Sequence, residues 1–444
     1  MNNNIKHCLS KIFQPMTIIP KNSNLSRQQV TSKSQRLMLE LGIIQQSIPG
    51  CFHLLPLGLK SLEKLIKIVD DELFKIGGQK LLFPTLTKSQ LWEKSGRLED
   101  VGPELFQLED RHKHSYILNP THEEVAGELL SMLAPISYKS FPLRLYQISN
   151  KFRDEIKPRF GLMRGREFIM KDMYSFDVDI DNAKKTYEEV CQSYNNIFDA
   201  IGVEYVKIPV LGNSGTMGGS LSHEYQFKAQ IGEDNVLNCS SCNYTANTEL
   251  CGDHKCPNCG ETTINIQCGI EVGHTFYLGD KYSKVFNATY VGKDGKSEIL
   301  QMGSYGIGIS RLLAASLEVL SSENELRWPS VLAPYNVIIL PPKSGSNEET
   351  PTEGRATDLY TKLENMIPCL KNNVLLDDRT SLTIGRRFVD AKRVGYQFII
   401  VINKKTAQEV PLYELNDIKN NSQMYLTEEA LIDYIKKNIR MNQT

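Results

Sequence analysis

No run of 18 apolar residues occurs anywhere in the 444-residue chain, which argues against a membrane-spanning helix. Neither charge is in excess: 51 lysines and arginines face 52 acids, so a nucleic-acid partner has to be argued from local patches and not from net charge. Acid is missing from the N-terminus altogether. Nothing acidic precedes Glu40, whereas Lys6, Lys11, Lys21, Arg27, Lys33, Arg36 and five serines fall within the first 36 residues. An acid-poor, basic, hydroxyl-bearing start without an apolar core suits an organelle leader and not a secretory signal. Residues 1–34 are therefore expected to be a mitochondrial transit peptide directing the protein to the matrix; a basic tail on a cytosolic protein has the same composition. Cysteine is sparse outside one cluster, with five of ten between 239 and 259. So uneven a distribution in a chain this long argues for reduced thiols and not for a disulfide framework.

What is present exceeds one hydrophobic core, so two or three domains are expected. Amphipathic helical stretches alternate with apolar strands from residue 35 to about residue 320. Trp328-Pro-Ser-Val-Leu-Ala-Pro-Tyr335 reads as a linker because it holds two prolines. Beyond it the pattern predicts strands at 336–340, 373–376 and 398–402, with helices at 359–366, 384–394 and 427–439. Strand–helix alternation over that length indicates a compact α/β domain.

The densest chemistry lies in residues 151–168, KFRDEIKPRFGLMRGREF. Six cations and three acids are interleaved here with Phe152, Phe160 and Phe168. Pro158, Gly161 and Gly165 break the middle, which predicts a hairpin with strands at 152–156 and 166–170. Fixed guanidinium forks beside an aromatic ring suit a nucleoside triphosphate. On charge alone, a solvated basic hairpin is the reading to beat.

Phe152-Arg-Asp-Glu155, followed a loop later by Arg164 and Phe168, resembles motif 2 of the class II aminoacyl-tRNA synthetases. Gly303-Ser-Tyr-Gly-Ile-Gly-Ile-Ser-Arg311 is similar to motif 3, and the helical stretch 57–76 followed by Gly77-Gly-Gln-Lys-Leu-Leu-Phe-Pro84 to motif 1. Three motifs in the right order form a specific signal. Asn119-Pro-Thr121-His-Glu123-Glu124, Met170-Lys-Asp-Met-Tyr-Ser-Phe176, Met217-Gly-Gly-Ser-Leu-Ser-His-Glu224, Gly269-Ile-Glu-Val-Gly-His274 and Leu375-Leu-Asp-Asp-Arg379 resemble the bacterial and organellar branch of the prolyl-tRNA synthetases.

That resemblance implies an α+β catalytic domain on an antiparallel sheet at 35–330, then an α/β anticodon-binding domain at 331–444. It implies L-proline, ATP with Mg2+, and tRNA(Pro) as partners, and a homodimer built on motif 1. Arg153 would bridge the carboxylate and the α-phosphate, with Arg153 and Arg311 the catalytic pair. Glu155, Arg164, Phe168 and Arg311 would hold ATP. Thr121, Glu123, His274 and Ser304 would line the proline pocket with Arg153; Ser304 stands where related enzymes often have cysteine. Two acceptors such as Thr121 and Glu123 suit a secondary ammonium with two N–H donors. Thr121 and Glu124 also have the spacing of a capping box. Asp378 and Arg379, with Arg386 and Arg393 on a helix that also carries Arg387 and Lys392, would form the anticodon surface; a solvated basic helix has the same pattern.

Cys239-x-x-Cys242 and Cys256-x-x-Cys259, with 13 residues between the pairs, have the spacing of a structural zinc knuckle at about 236–262, with Cys251 and His254 as alternative ligands. A knuckle without its metal is the competing reading. Related bacterial enzymes carry an editing domain between motifs 2 and 3. Here residues 169–302, 134 in all, leave no room for one, so editing in cis is not expected. A threonyl-type enzyme would need a His/Cys zinc set near Arg153, and none is evident. A relative that had lost catalysis and kept RNA binding would be expected to lack phosphate-binding arginines, yet Arg153, Arg164 and Arg311 are all present.

Overall fold

The computed structural model describes residues 6–16, 32–210, 221–242, 244–247, 255–256, 258–261 and 264–439. These form two compact units. One comprises Gln46–Phe52 and Ile66–Ala315; the other comprises the described residues up to Gln45, His53–Leu65, and those from Ser316 onward. Most of the expected leader, Met217 to Ser220, Cys251 and His254 lie outside the described residues.

The first unit is built on a nine-stranded sheet. Its strands include β1 (Gln79–Lys80), β2 (Leu143–Phe152), β3 (Glu167–Asp177), β4 (Tyr205–Val210), β5 (Leu221–Lys228), β6 (Asp234–Cys239), β7 (Ile264–Gly279) and β8 (Gln301–Gly308). They run across the sheet in the order β4-β5-β7-β8-β3-β2-β1, with β6 also paired to β7. The central pairs are antiparallel, and only the short edge strand β1 runs parallel to its neighbour. The helices α1 (Pro56–Lys75) and α4 (Ile309–Leu320) fall where the motif 1 and motif 3 readings need them, and α2 (Glu123–Leu133) and α3 (Ile180–Ile201) lie between them in the chain.

Register decides what the sheet displays. Phe276, Ser304 and Tyr174 stand opposite one another across β7, β8 and β3, and so do His274, Gly306 and Asp172. Side chains two apart on a strand share a face, so both rows point the same way. Thr275, Tyr305 and Lys171, at the alternate positions, face the other side, where α3 covers them: Tyr187 Oη lies 2.8 Å from Thr275 Oγ1, and Lys171 Nζ donates to Tyr194 Oη. The long helix α3 forms because an Asp179 cap accepts from Asn182 N at 2.8 Å and Gly202, at φ 77°, ends it. Its buried stripe of Tyr187, Val190, Tyr194, Ile197, Phe198 and Ile201 recurs at helical spacing.

The second unit carries a five-stranded sheet of β9 (Val337–Leu340), β10 (Val374–Leu376), β11 (Phe398–Val401), β12 (Tyr413–Asp417) and β13 (Ser422–Leu426), ordered β10-β9-β11-β12-β13. The first three strands are parallel and fully buried, with α5 (Arg355–Met366), α6 (Ile384–Val394) and α7 (Glu428–Asn438) as the helices. This is the expected α/β arrangement. The β12–β13 hairpin was not anticipated, because its polar alternation is weak and its turn, with Asn421 at φ 48°, carries no glycine. Residues 6–16 belong to this unit, and Lys33–Glu40 is helical. The expected leader, 1–34, takes in residues 6–16 and the first two residues of that helix.

Candidate active site

The hairpin at 151–168 exists with a different division from the one expected. Lys151 pairs with Phe168 and Phe152 with Glu167 at the very end of the β2–β3 ladder, so the strand predicted at 152–156 is instead the start of a 14-residue excursion, residues 153–166. Pro158 and the left-handed Phe160 and Gly161 take the chain off the ladder. The return leg is pinned to Gly50, whose carbonyl accepts from Arg166 N at 2.8 Å. Gly50 sits at φ +82°, and a Cβ there would lie 2.8 Å from Arg166 Cγ. Only glycine fits.

Above the sheet face that displays His274, Ser304 and Asp172 lies a cavity of about 300 Å³, lined by all nine residues expected to hold ATP or amino acid: Thr121, Glu123, Arg153, Glu155, Arg164, Phe168, His274, Ser304 and Arg311. At one end Arg153 stands over the Phe168 ring at 5.3 Å. Burial and the neighbouring Arg311 guanidinium push Arg153 down from its usual range, against Glu271, Glu104 and Glu155. Arg164 Nε donates to Glu155 Oε2 at 2.9 Å and Arg164 also pairs with Glu233. Arg311 donates to the carbonyls of Met163 and Glu271 at 2.8 and 3.0 Å, which ties the start of α4 to the hairpin.

At the other end, Glu123 is buried and heavily held. Thr121 Oγ1 lies 2.8 and 2.7 Å from its two oxygens, Ser304 Oγ donates at 2.8 Å, and Arg97 Nη1 lies at 3.2 Å. A hydroxyl carries one proton, so three donors meet four lone-pair positions. One position remains for an N–H from a ligand. Thr121 donates to Glu123 and does not cap α2: the cap residue is His122, without a side-chain bond, so the capping-box geometry is not formed.

Several functional residues were missed from sequence. Arg97, 4% exposed, clamps Glu123 and Glu124, the latter at 3.0 Å; the two carboxylates raise it despite burial. Asp172 lies under the pocket floor and gathers Lys151 Nζ at 2.7 Å, Tyr174 Oη at 2.9 Å and Gln147 Nε2 at 3.0 Å. Burial favours its neutral form, but Lys151 and His122 outweigh that and hold it at about 2. Glu271 is likewise held at about 2, since His274, Arg311 and Arg153 overcome burial. Its Oε1 lies 2.9 Å from His274 Nδ1, while His274 Nε2 lies 2.6 Å from Ser222 Oγ and the ring stacks on Phe276 at 3.8 Å. With both nitrogens engaged, His274 offers its ring as a wall. Alternation along Met170 to Phe176 was the signal that could have found Asp172.

Residues 106–320 match the tRNA synthetase class II core domain (G, H, P, S and T) and residues 336–438 an anticodon-binding domain. The probable mitochondrial proline–tRNA ligase of Rattus norvegicus is 44% identical over 433 residues, covering 96% of this chain and 90% of the relative. The chain belongs to the proline–tRNA ligases. A probable mitochondrial proline–tRNA ligase of Schizosaccharomyces pombe is 39% identical over 87% of this chain and 89% of its own length. In fold, this ligase superposes on the Giardia lamblia prolyl-tRNA synthetase solved with prolyl-adenylate, with a TM-score of 0.75 at 17% identity over 93% of this chain and 81% of that one.

Two further clusters complete the ligase. The thiols of Cys239, Cys242, Cys256 and Cys259 all lie within 4.8 Å of one another, with Cys239–Cys259 and Cys242–Cys256 at 3.6 Å. A tetrahedral cage at Zn–S 2.3 Å needs sulfurs about 3.8 Å apart, so the donors fit zinc. In the second unit, Arg386 is 69% exposed and Arg393 lies two turns on, paired with Glu40 at 2.8 Å. Arg379 is tied to Asp377 at 2.9 Å and Asp390 at 3.4 Å. Arg387, expected on the same surface, is buried, donating to the carbonyls of Asp377 and Pro341. It braces α6 from inside and is not part of the surface.

Proposed function

We propose that this chain activates L-proline with ATP as prolyl-adenylate and transfers it to the 3′ end of tRNA(Pro) in the mitochondrial matrix. The observation that carries this is the convergence on one cavity of an Arg153 guanidinium, which forms no ion pair among the described residues, and a Glu123 carboxylate with one lone pair to spare. The proline carboxylate would lie on Arg153, which can share its fork with the α-phosphate. Glu123 and Thr121 would accept from the two N–H groups of the secondary ammonium. A carboxylate oxygen then attacks the α-phosphorus, the bond to the β-phosphate oxygen breaks, and pyrophosphate leaves. Positioning and charge stabilisation carry the step, with no covalent protein nucleophile.

Phe168 and Arg311 would sandwich adenine, Glu155 would accept from its amino group, and Arg164 would meet the outer phosphates. Mg2+ would offset the triphosphate charge. Glu271 and Glu224, whose ligating atoms lie within 4.8 Å, offer the carboxylate oxygens a hard cation requires. The cysteine quartet would hold a structural zinc. Asp378, Arg379, Arg386 and Arg393 would read the anticodon loop by base edges and phosphates. Functionally the chain divides into catalytic residues 35–330 and anticodon-binding residues 331–444. Exposed apolar Phe74 and Leu82, 78% and 75% open, beside the motif 1 helix support a homodimer built on that face.

Proline-dependent ATP–pyrophosphate exchange, run in parallel with each of the twenty amino acids, tests the reading. Proline alone should stimulate exchange. Stimulation by a different amino acid would overturn the substrate assignment.

A further inference from the structure

The N-terminal residues 6–16 make an ordered set of contacts with the second unit. The His7 carbonyl accepts from Leu376 N at 2.9 Å, and Cys8 bridges Leu376 in parallel register. The segment thereby adds itself to β10, the edge strand of the five-stranded sheet. An open edge of this kind is normally covered. The His7 N–H donates to Tyr360 Oη at 3.2 Å, and its ring lies 5.6 Å from that of Tyr335. Leu9 is 8% exposed. Further along, Gln14 Nε2 donates to Leu41 O at 2.9 Å.

The contact with chemical content is at Ser10. Its backbone N–H donates to Asp378 Oδ1 at 2.9 Å, and its hydroxyl donates to Asp378 Oδ2. Asp378 follows β10 on the loop leading to α6, at the carboxyl ends of the parallel strands, where open α/β sheets place ligands. Its neighbours Arg379 and Arg386 are tied to Asp377 and Asp390. Burial favours protonation of Asp378, but the two Ser10 bonds outweigh it and keep the carboxylate charged. One donor on each oxygen fixes the plane of the carboxylate and leaves the remaining lone pairs pointing outward, the arrangement needed to accept from a base edge.

We propose that residues 6–16 are a permanent part of the RNA-binding unit and that Ser10 is a positioning residue, holding Asp378 in the orientation that reads the anticodon. This rests on Asp378 being an anticodon contact, and the test separates the two claims. In the full chain, Ser10→Ala, Ser10→Thr and Asp378→Ala are compared for charging of tRNA(Pro) and of a tRNA with an altered anticodon. Ser10→Ala should raise KM for tRNA(Pro) roughly three- to tenfold, the size of one lost hydrogen bond, and narrow the preference for the cognate anticodon. Ser10→Thr should restore both, and tRNA-free exchange should be unchanged in the Ser10 variants. Ser10→Cys, a near-isostere with a weak donor, carries the same comparison should the alanine variant melt early. An Asp378→Ala protein with intact anticodon preference would remove Asp378 from the anticodon surface. Lost preference in Asp378→Ala with wild-type behaviour in Ser10→Ala would overturn the role of Ser10. A lower KM for tRNA on replacing Ser10 would also overturn it, by showing the segment to be a mask.

Discussion

Arg97 has no place in any of the three motifs, yet it neutralises two buried carboxylates, one of which faces the cavity. Removing one partner of a buried ion pair leaves an uncompensated charge, costing about 3–5 kcal/mol. Arg97→Ala should therefore lower the unfolding midpoint markedly and depress proline-dependent exchange mainly through KM for proline; unchanged KM would detach Arg97 from the pocket. Asp177 gives a pH-dependent counterpart. Burial pushes it up to about 6 from its ordinary 3.8, against the Thr186 bond and Arg144, and its Oδ2 has no partner among the described residues. A carboxyl raised in the folded state contributes its stability below pH 3.8 and loses it as pH rises through 6. Asp177→Asn, which can still accept from Thr186 Oγ1 at 2.9 Å, should raise the melting temperature at pH 8 and leave it near wild type at pH 4. Equal shifts at both pH values would contradict this. The nine residues expected at the cavity were legible because motifs name them; Arg97, Lys151 and Asp172 were not, because their partners are distant in sequence.

At the level of elements, the hairpin between β2 and β3 shows what local patterning can and cannot deliver. Its breakers Pro158, Gly161 and Gly165 were readable, so a turn there was expected. The point where the ladder stops was not, because it is set by Gly50, a hundred residues upstream. Gly50→Ala should strain that anchor, at roughly 1–2 kcal/mol for a left-handed non-glycine residue, and raise KM for ATP more than KM for proline. Wild-type ATP kinetics would show that the anchor does not govern the loop. The C-terminal strands β9, β10 and β11 were visible as short apolar runs, as parallel strands buried on both faces should be. The β12–β13 hairpin, half-exposed and lacking glycine in its turn, offered no comparable signal. Arg387 was misread for a related reason: on a helix, charge alone does not say which face is inward.

For the molecule as a whole, the stretch between motifs 2 and 3 is the informative one. Among its described residues are α3, strands β4 to β7 and the cysteine quartet. No hydrolytic domain is expected there, and a pocket distinguishes amino acids differing by little more than a methylene by only about 1–3 kcal/mol. The pure protein should therefore form some Ala-tRNA and fail to deacylate it; robust deacylation would refute the expectation. The quartet predicts about one zinc per chain by metal analysis, with chelation lowering the melting temperature and Cys242→Ser abolishing the bound metal. Zinc-free protein with an unaltered melting curve would leave the ribbon without its metal. The two-part organisation was legible from the linker prolines and the change of pattern after them. The enlistment of residues 6–16 was not, because composition described that stretch well enough as a leader.

Ser304 holds Glu123 from β8, and among the described residues no cysteine lines the cavity around it. A site built on oxygen donors offers no thiol for electrophiles to alkylate. A maleimide that silences this enzyme must act somewhere else, with the exposed Cys259 the first place to look, whereas peroxide can still oxidise the Met163 and Met170 thioethers of the cavity lining. Covalent inhibitors designed around a pocket thiol would pass it by.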